Sequence, residues 1–98
     1  MDDIVSEILG TNIPKLLGFK FRRNGRIALV RPFSSGGRVI EINETAVRVL
    51  SLCDGNSNIN AIAQTIAEQY NAEFKTVRND VLKLIRSFEG AKIITTAL

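Results

Sequence analysis

Arg38-Val39-Ile40-Glu41-Ile42-Asn43-Glu44-Thr45-Ala46 changes its periodicity midway, and that change decides the fold. Ile40 and Ile42 share one face of an alternating strand, while Val39 and Glu41 share the other. Asn43 is then a strong helix N-cap, and Glu44 suits the positive end of a helix dipole. Ala46, Val49, Leu50 and Cys53 follow at helical spacing until Asp54-Gly55 stops the pattern. A strand therefore runs straight into a capped helix. The rest of the chain offers pairing partners for one edge of that strand, which leaves the other edge open to a peptide from outside.

Upstream, residues 19–43 keep the period of two. Phe19-Lys20-Phe21-Arg22 alternates, Asn24-Gly25 marks a turn, and Arg26-Ile27-Ala28-Leu29-Val30-Arg31 makes a second strand ended by Pro32. A two-residue Asn24-Gly25 loop would pair Phe21 with Ala28. A three-residue Arg23-Asn24-Gly25 loop would pair Phe21 with Ile27 and Phe19 with Leu29. Since a slip of one residue moves every side chain to the opposite face, the second register is expected, because it buries four apolar residues together. Ser34-Ser35-Gly36-Gly37 turns the chain into the third strand, which completes an antiparallel meander with that strand at one edge.

Downstream the period is helical. Asn58 caps a second helix with the stripe Ile59, Ile62, Ala63, Ile66, Ala67 and Tyr70. A third begins near Glu73, carries Phe74, Val77, Val81, Leu84 and Phe88, and ends at Gly90. Ala91-Lys92-Ile93-Ile94-Thr95-Thr96-Ala97 has the composition of a strand. The expected fold is α+β, a winged helix-turn-helix-like domain with a three-stranded antiparallel sheet followed by three helices. It occupies residues 19–98. Residues 1–18 are expected to be an N-terminal appendage, with a short helix carrying Ile4, Val5, Ile8 and Leu9 up to Gly10 and a further helical turn near Pro14.

The bulk composition narrows the function. The 98 residues are 45% apolar and 23% charged, with a net charge of +3, as in an ordinary soluble domain. Met1-Asp2-Asp3-Ile4 is acidic where a secretory signal is basic, and Cys53 has no partner for a disulfide, so a cytoplasmic protein is expected. No apolar run is long enough for a membrane span, and no membrane partner is expected. The chain has no histidine, which removes the commonest general base and metal ligand. One cysteine cannot build a thiolate site, and Gly36-Gly37 lacks the GxxxxGK[ST] pattern of a phosphate loop. Neither a catalytic residue nor a metal or cofactor is therefore expected.

Glu41-Ile42-Asn43-Glu44-Thr45-Ala46, followed by Leu52-Cys53-Asp54-Gly55, resembles the signature of the PqqD-like family of recognition elements for ribosomally made, post-translationally modified peptides. Ile42 stands where the family pattern has leucine. The resemblance runs on through the Ile-Ala repeats between Ile59 and Tyr70 and through Asp80-Val81, over roughly residues 19–95. Glu73-Phe74 stands where many relatives look like Asp-Pro, and residues 1–18 have no family counterpart. The resemblance implies a non-catalytic module that captures the leader of a precursor peptide. It presents that leader to a separate modifying enzyme, such as a radical SAM enzyme in pyrroloquinoline quinone biosynthesis. It further implies that the leader adds beside the third strand and lies against the third helix.

On this chain, the backbone of Arg38, Val39, Ile40, Glu41 and Ile42 would supply the bonding edge. A second row on the third helix, Arg78, Leu82 and Ile85, is expected to floor the groove, with Leu82 and Ile85 receiving apolar side chains. Lys75, Arg78 and Arg86 would meet leader carboxylates. The rival reading is a DNA-binding winged helix, with Lys75, Thr76, Arg78 and Asn79 opening the recognition helix. Glu73 and Asp80 on the same surface, and the lack of a basic arm, count against nucleic acid. A third reading has the open edge pairing with itself in a homodimer.

Overall fold

The computed structural model describes residues 3–33 and 38–97. Its elements are α1 (Asp3–Leu9), β1 (Ile13–Leu16), β2 (Phe19–Asn24), β3 (Ile27–Pro32), β4 (Ile40–Asn43), α2 (Glu44–Ser51), α3 (Ile59–Gln69), α4 (Phe74–Gly90) and β5 (Ile94–Ala97). Strands β2, β3 and β4 form an antiparallel sheet in that order, followed by three helices, so the fold is the expected α+β arrangement. The turn expected at Ser34-Ser35-Gly36-Gly37 lies outside the described residues.

Local signals set the junctions. The Asn43 carboxamide oxygen accepts a hydrogen bond from the Ala46 N–H at 2.9 Å, and Asn58 does the same for Ala61 at 2.8 Å. Glu73 precedes α4 without a side-chain cap. Helices α3 and α4 end alike, each with a residue in the left-handed region, Asn71 at φ 50° and Lys92 at φ 63°. The Ala72 N–H reaches back to the Ala67 carbonyl, and the Ile93 N–H to that of Phe88. These are Schellman closures, built without the usual glycine.

The hairpin register differs from both expectations. Phe21 pairs with Val30, Phe19 with Pro32 and Asn24 with Ile27, so the loop is Gly25-Arg26. Gly25 has φ 65°, the left-handed value that glycine adopts at the first position of a two-residue turn. The buried face of β3 is consequently Ala28, Val30 and Pro32, while Ile27 and Leu29 lie half-buried on the outer face. Smaller side chains won that face because α2 packs directly on it.

The core runs from Ala28, Val30 and Ile42 through Val49 and Leu50 to Ile59, Ile62, Val81, Ile85 and Phe88. Each Val, Leu, Ile or Phe side chain buried there contributes about 1.5–3 kcal/mol relative to exposure. Residues 13–16 do not continue as a helix after Pro14: β1 pairs antiparallel with β5, Ile13 facing Ala97 and Leu16 facing Ile94. Helix α1 packs against α4, and its contact is polar: Ser6 is fully buried and its hydroxyl donates to Asn79 Oδ1 at 2.9 Å. The short helix is as expected, but Ile4, Val5 and Ile8 face outward, and of its four apolar residues only Leu9 packs on the core. A Cβ at Gly10 would run into the Asn60 side chain, so at this close crossing over the start of α3 a larger residue would have to displace Asn60.

Candidate functional site

Among the described residues, β4 pairs only with β3, so alternate N–H and C=O groups along its other edge are left without a strand. A groove of about 260 Å³ runs along that edge. Its wall is β4, from Ile40 through Asn43, and its floor is Leu84, Ser87, Phe88 and Ala91 of α4, with Ala46 of α2 closing one end. A second hollow of about 240 Å³ continues it at the other end, between Arg38, Ile40, Gly90, Ala91 and Lys92. Leu84 is half-buried and Phe88 buried, so an apolar side chain entering the groove meets hydrocarbon. Arg38 and Lys92 place two cations at the exit. Lys92, in the left-handed region just past the end of α4, lines that exit.

The sequence-expected residues divide. Ile40, Glu41 and Ile42 line the groove wall, and Arg38 lines its continuation. Arg38 and Val39 precede the strand itself, which begins at Ile40. Val39 opens onto the outer face of the sheet, against Leu29 and Arg31. Leu82 and Ile85 do not floor the groove: they are 5% and 1% exposed and belong to the core. At 3.6 residues per turn, Leu82 and Leu84 lie roughly 160° apart around α4, and the groove is on the Leu84 flank. The Leu82 flank faces Leu9, Asn12, Ile59 and Thr96, and Arg86 lies on that side as well. Arg78 is 6% exposed, with its guanidinium carbon 5.2 Å from the Phe74 ring centroid, a cation–π contact rather than a surface cation. Lys75, in the exposed first turn of α4, is not among the groove residues. The short helix near the N-terminus was expected; what the sequence could not display was that α1 docks on α4, where its Ser6–Asn79 contact covers this flank.

The same contact removes the recognition surface that a DNA-reading helix would need, since Arg78 is buried and Asn79 is engaged by α1. Nucleophile and metal chemistry also find no footing among the described residues. Cys53 is 1% exposed and its thiol donates to the Val49 carbonyl. Burial, and to a lesser degree the charge of Asp54, pushes that thiol up to about 12, so the thiolate is not formed at neutral pH. Asp54 itself is lowered, first by the Asn56 N–H and then by that of Ser57, which its Oδ1 accepts at 2.8 and 2.9 Å. It closes the α2–α3 turn. Glu44 pairs with Arg23 at 3.4 Å on the surface, away from Glu41. No group of three or more potential metal ligands occurs among the described residues. No helix among them is long and apolar enough to cross a membrane. The groove is equipped to bind an extended chain, by backbone hydrogen bonds on one side and apolar contact on the other.

Comparison with known proteins agrees with this geometry. A "PqqA binding protein" of Rhodopseudomonas palustris is 32% identical over 60 residues, which is 61% of this chain and 59% of that relative's length. Among solved structures, the PqqD truncation of Methylobacterium extorquens PqqCD, a stand-alone recognition element, superimposes with a TM-score of 0.72. It is 22% identical over 88% of this chain and 92% of its own. TbiB1, solved in complex with the TbiA(beta) leader peptide, gives a TM-score of 0.70 at 15% identity, covering 82% of this chain and 93% of that one. At these identities the two structures establish a shared fold. Residues 28–94, more than half of the chain, match the family described as coenzyme PQQ synthesis protein D. This chain therefore belongs to the PqqD family.

Proposed function

We propose that the chain captures the leader of a ribosomally made precursor peptide as a fourth strand beside β4 and presents it to a separate modifying enzyme. The observation that carries this reading is the groove between the unpaired edge of β4 and the Leu84–Phe88 side of α4. Family membership supports the peptide as ligand, as do a relative named for binding PqqA and a fold neighbour solved with a leader peptide. Ile40, Glu41 and Ile42 supply backbone partners. Leu84 and Phe88 receive the leader's inward apolar side chains, and Arg38 and Lys92 attract a carboxylate at the exit. The enzyme served is of the radical SAM type that the family resemblance implies, and the encounter takes place in the cytoplasm.

A handful of backbone hydrogen bonds at about 0.5–1.5 kcal/mol each, less the cost of ordering a flexible peptide, gives micromolar affinity. The test is an NMR titration of labelled protein with candidate leader peptides. Shifts are expected at Ile40–Asn43, Leu84, Ser87, Phe88, Ala91 and Lys92. Shifts confined to the Leu9, Arg86 and Thr96 side would overturn the assignment.

A further inference from the structure

The outer face of the meander carries a surface that leader capture does not use. Lys20 of β2 stands directly opposite Arg31 of β3 in the ladder, and Arg22 stands opposite Leu29. Like charges facing each other across a pair of strands cost stability, and a partner of opposite charge relieves that cost. Among the described residues, none of Lys20, Arg22 and Arg31 takes part in an ion pair; Arg23, one position along, reaches Glu44 instead. The strand register puts Glu41 on the same face, opposite Leu29, so three cations there answer to one carboxylate. Between the cations lies a shallow hollow of about 420 Å³, larger than the groove beside β4, with Leu29 and Val39 as its apolar lining on this face. Val39 is 55% exposed and Leu29 half-buried, so apolar surface lies open within a basic rim.

We infer that this face docks an acidic surface segment of the modifying enzyme, with carboxylates meeting Lys20, Arg22 and Arg31 and an apolar side chain seated on Leu29 and Val39. The inference rests on the reading of the chain as a leader carrier. Charge complementarity identifies the occupant as acidic, and the aliphatic floor identifies it as protein. Three cations would neutralise only about three phosphates, and a floor of Leu29 and Val39 is aliphatic and makes no stacking platform for bases. The position is also apt: β4 borders both surfaces, so an enzyme on the outer face sits beside the edge where the peptide is held.

The test uses the whole chain and two synthetic twelve-residue probes, one of repeated Glu-Asp-Leu and one of Lys-Arg-Leu, read by fluorescence anisotropy at low and at 300 mM salt. The acidic probe is expected to bind, to weaken at least about tenfold in high salt, and to leave the Lys-Arg-Leu probe unbound. Lys20→Glu combined with Arg22→Glu and Arg31→Glu should abolish that binding while leader affinity stays within about twofold. The three Gln substitutions supply the milder arm if the reversal fails to fold, with a loss of about three- to tenfold expected. The docking face is overturned by equal binding to the triple variant, by displacement of the acidic probe with leader peptide, or by tighter binding of a short DNA duplex to the same residues. Loss of leader binding in the wild-type chain would instead overturn the groove, so the two failures are distinguishable.

Discussion

Strands β2 and β4 are the two edges of one sheet, and each leaves backbone groups without a strand among the described residues. Their surroundings differ. Beneath β4 run α2 and α4, so its edge opens onto Leu84 and Phe88. Among the described residues β2 has no such floor: Phe21 is 47% exposed and Lys20, Arg22 and Arg23 are all exposed. Charged side chains along an edge strand oppose pairing with another chain, whereas an apolar floor beside an edge invites it. An unpaired edge is thus not a binding site by itself; the helix next to it makes the difference.

The comparison breaks most sharply on α4. Ile85→Asp should destabilise the domain by more than about 4 kcal/mol, because it places a carboxylate in the core. Urea unfolding would show this, and a folded, stable variant would mean that the Leu82–Ile85 flank is open after all. One residue earlier, Leu84→Asp should leave the domain folded and weaken leader binding about thirtyfold, roughly 2 kcal/mol by calorimetry. Between the strands themselves, Ile42→Ala should cost about 2–4 kcal/mol and Phe21→Ala less than about 1 kcal/mol in thermal melts. Equal losses would place β2 under a cover that the fold does not provide.

Asparagines end both edges and share one neighbour: Asn24 and Asn43 each pair with Ile27. Only Asn43 caps a helix, so Asn43→Ala should cost about 1 kcal/mol and Asn24→Ala within about 0.3 kcal/mol. The smallest effect is expected on association. Lys20→Thr with Arg22→Thr should leave stability within about 0.5 kcal/mol but raise concentration-dependent self-association, visible by sedimentation.

The parts legible from the sequence were those whose causes are local. Asn43 and Asn58 announce their helices because a cap needs only a side-chain oxygen and an N–H three residues on. The edge position of β4 followed from the order of strands. The hairpin register was not legible, because maximal burial of Phe19, Phe21, Ile27 and Leu29 assumed a cover along all of β2, and among the described residues only Phe19 of that strand packs on the core. The groove floor was misassigned for a complementary reason. Two flanks of α4 are apolar, and the choice between them depends on where α1 packs. That contact runs through Ser6 and Asn79, not through the apolar Ile4, Val5 and Ile8 that hydrophobic patterning would select.

The ribbon of β1 and β5 has a mechanical consequence. Ile13 and Ala97 face each other at one end of its ladder, so tension entering through both strands pulls at the same point. The hydrogen bonds would then bear load one after another, as in a zipper, rather than together. The ribbon should peel first, then the bond from the Leu17 N–H to the Ile93 carbonyl. Because none of these bonds involves β4, such a pull loosens the α1 side of α4 while the opposite flank keeps its shape and its grip.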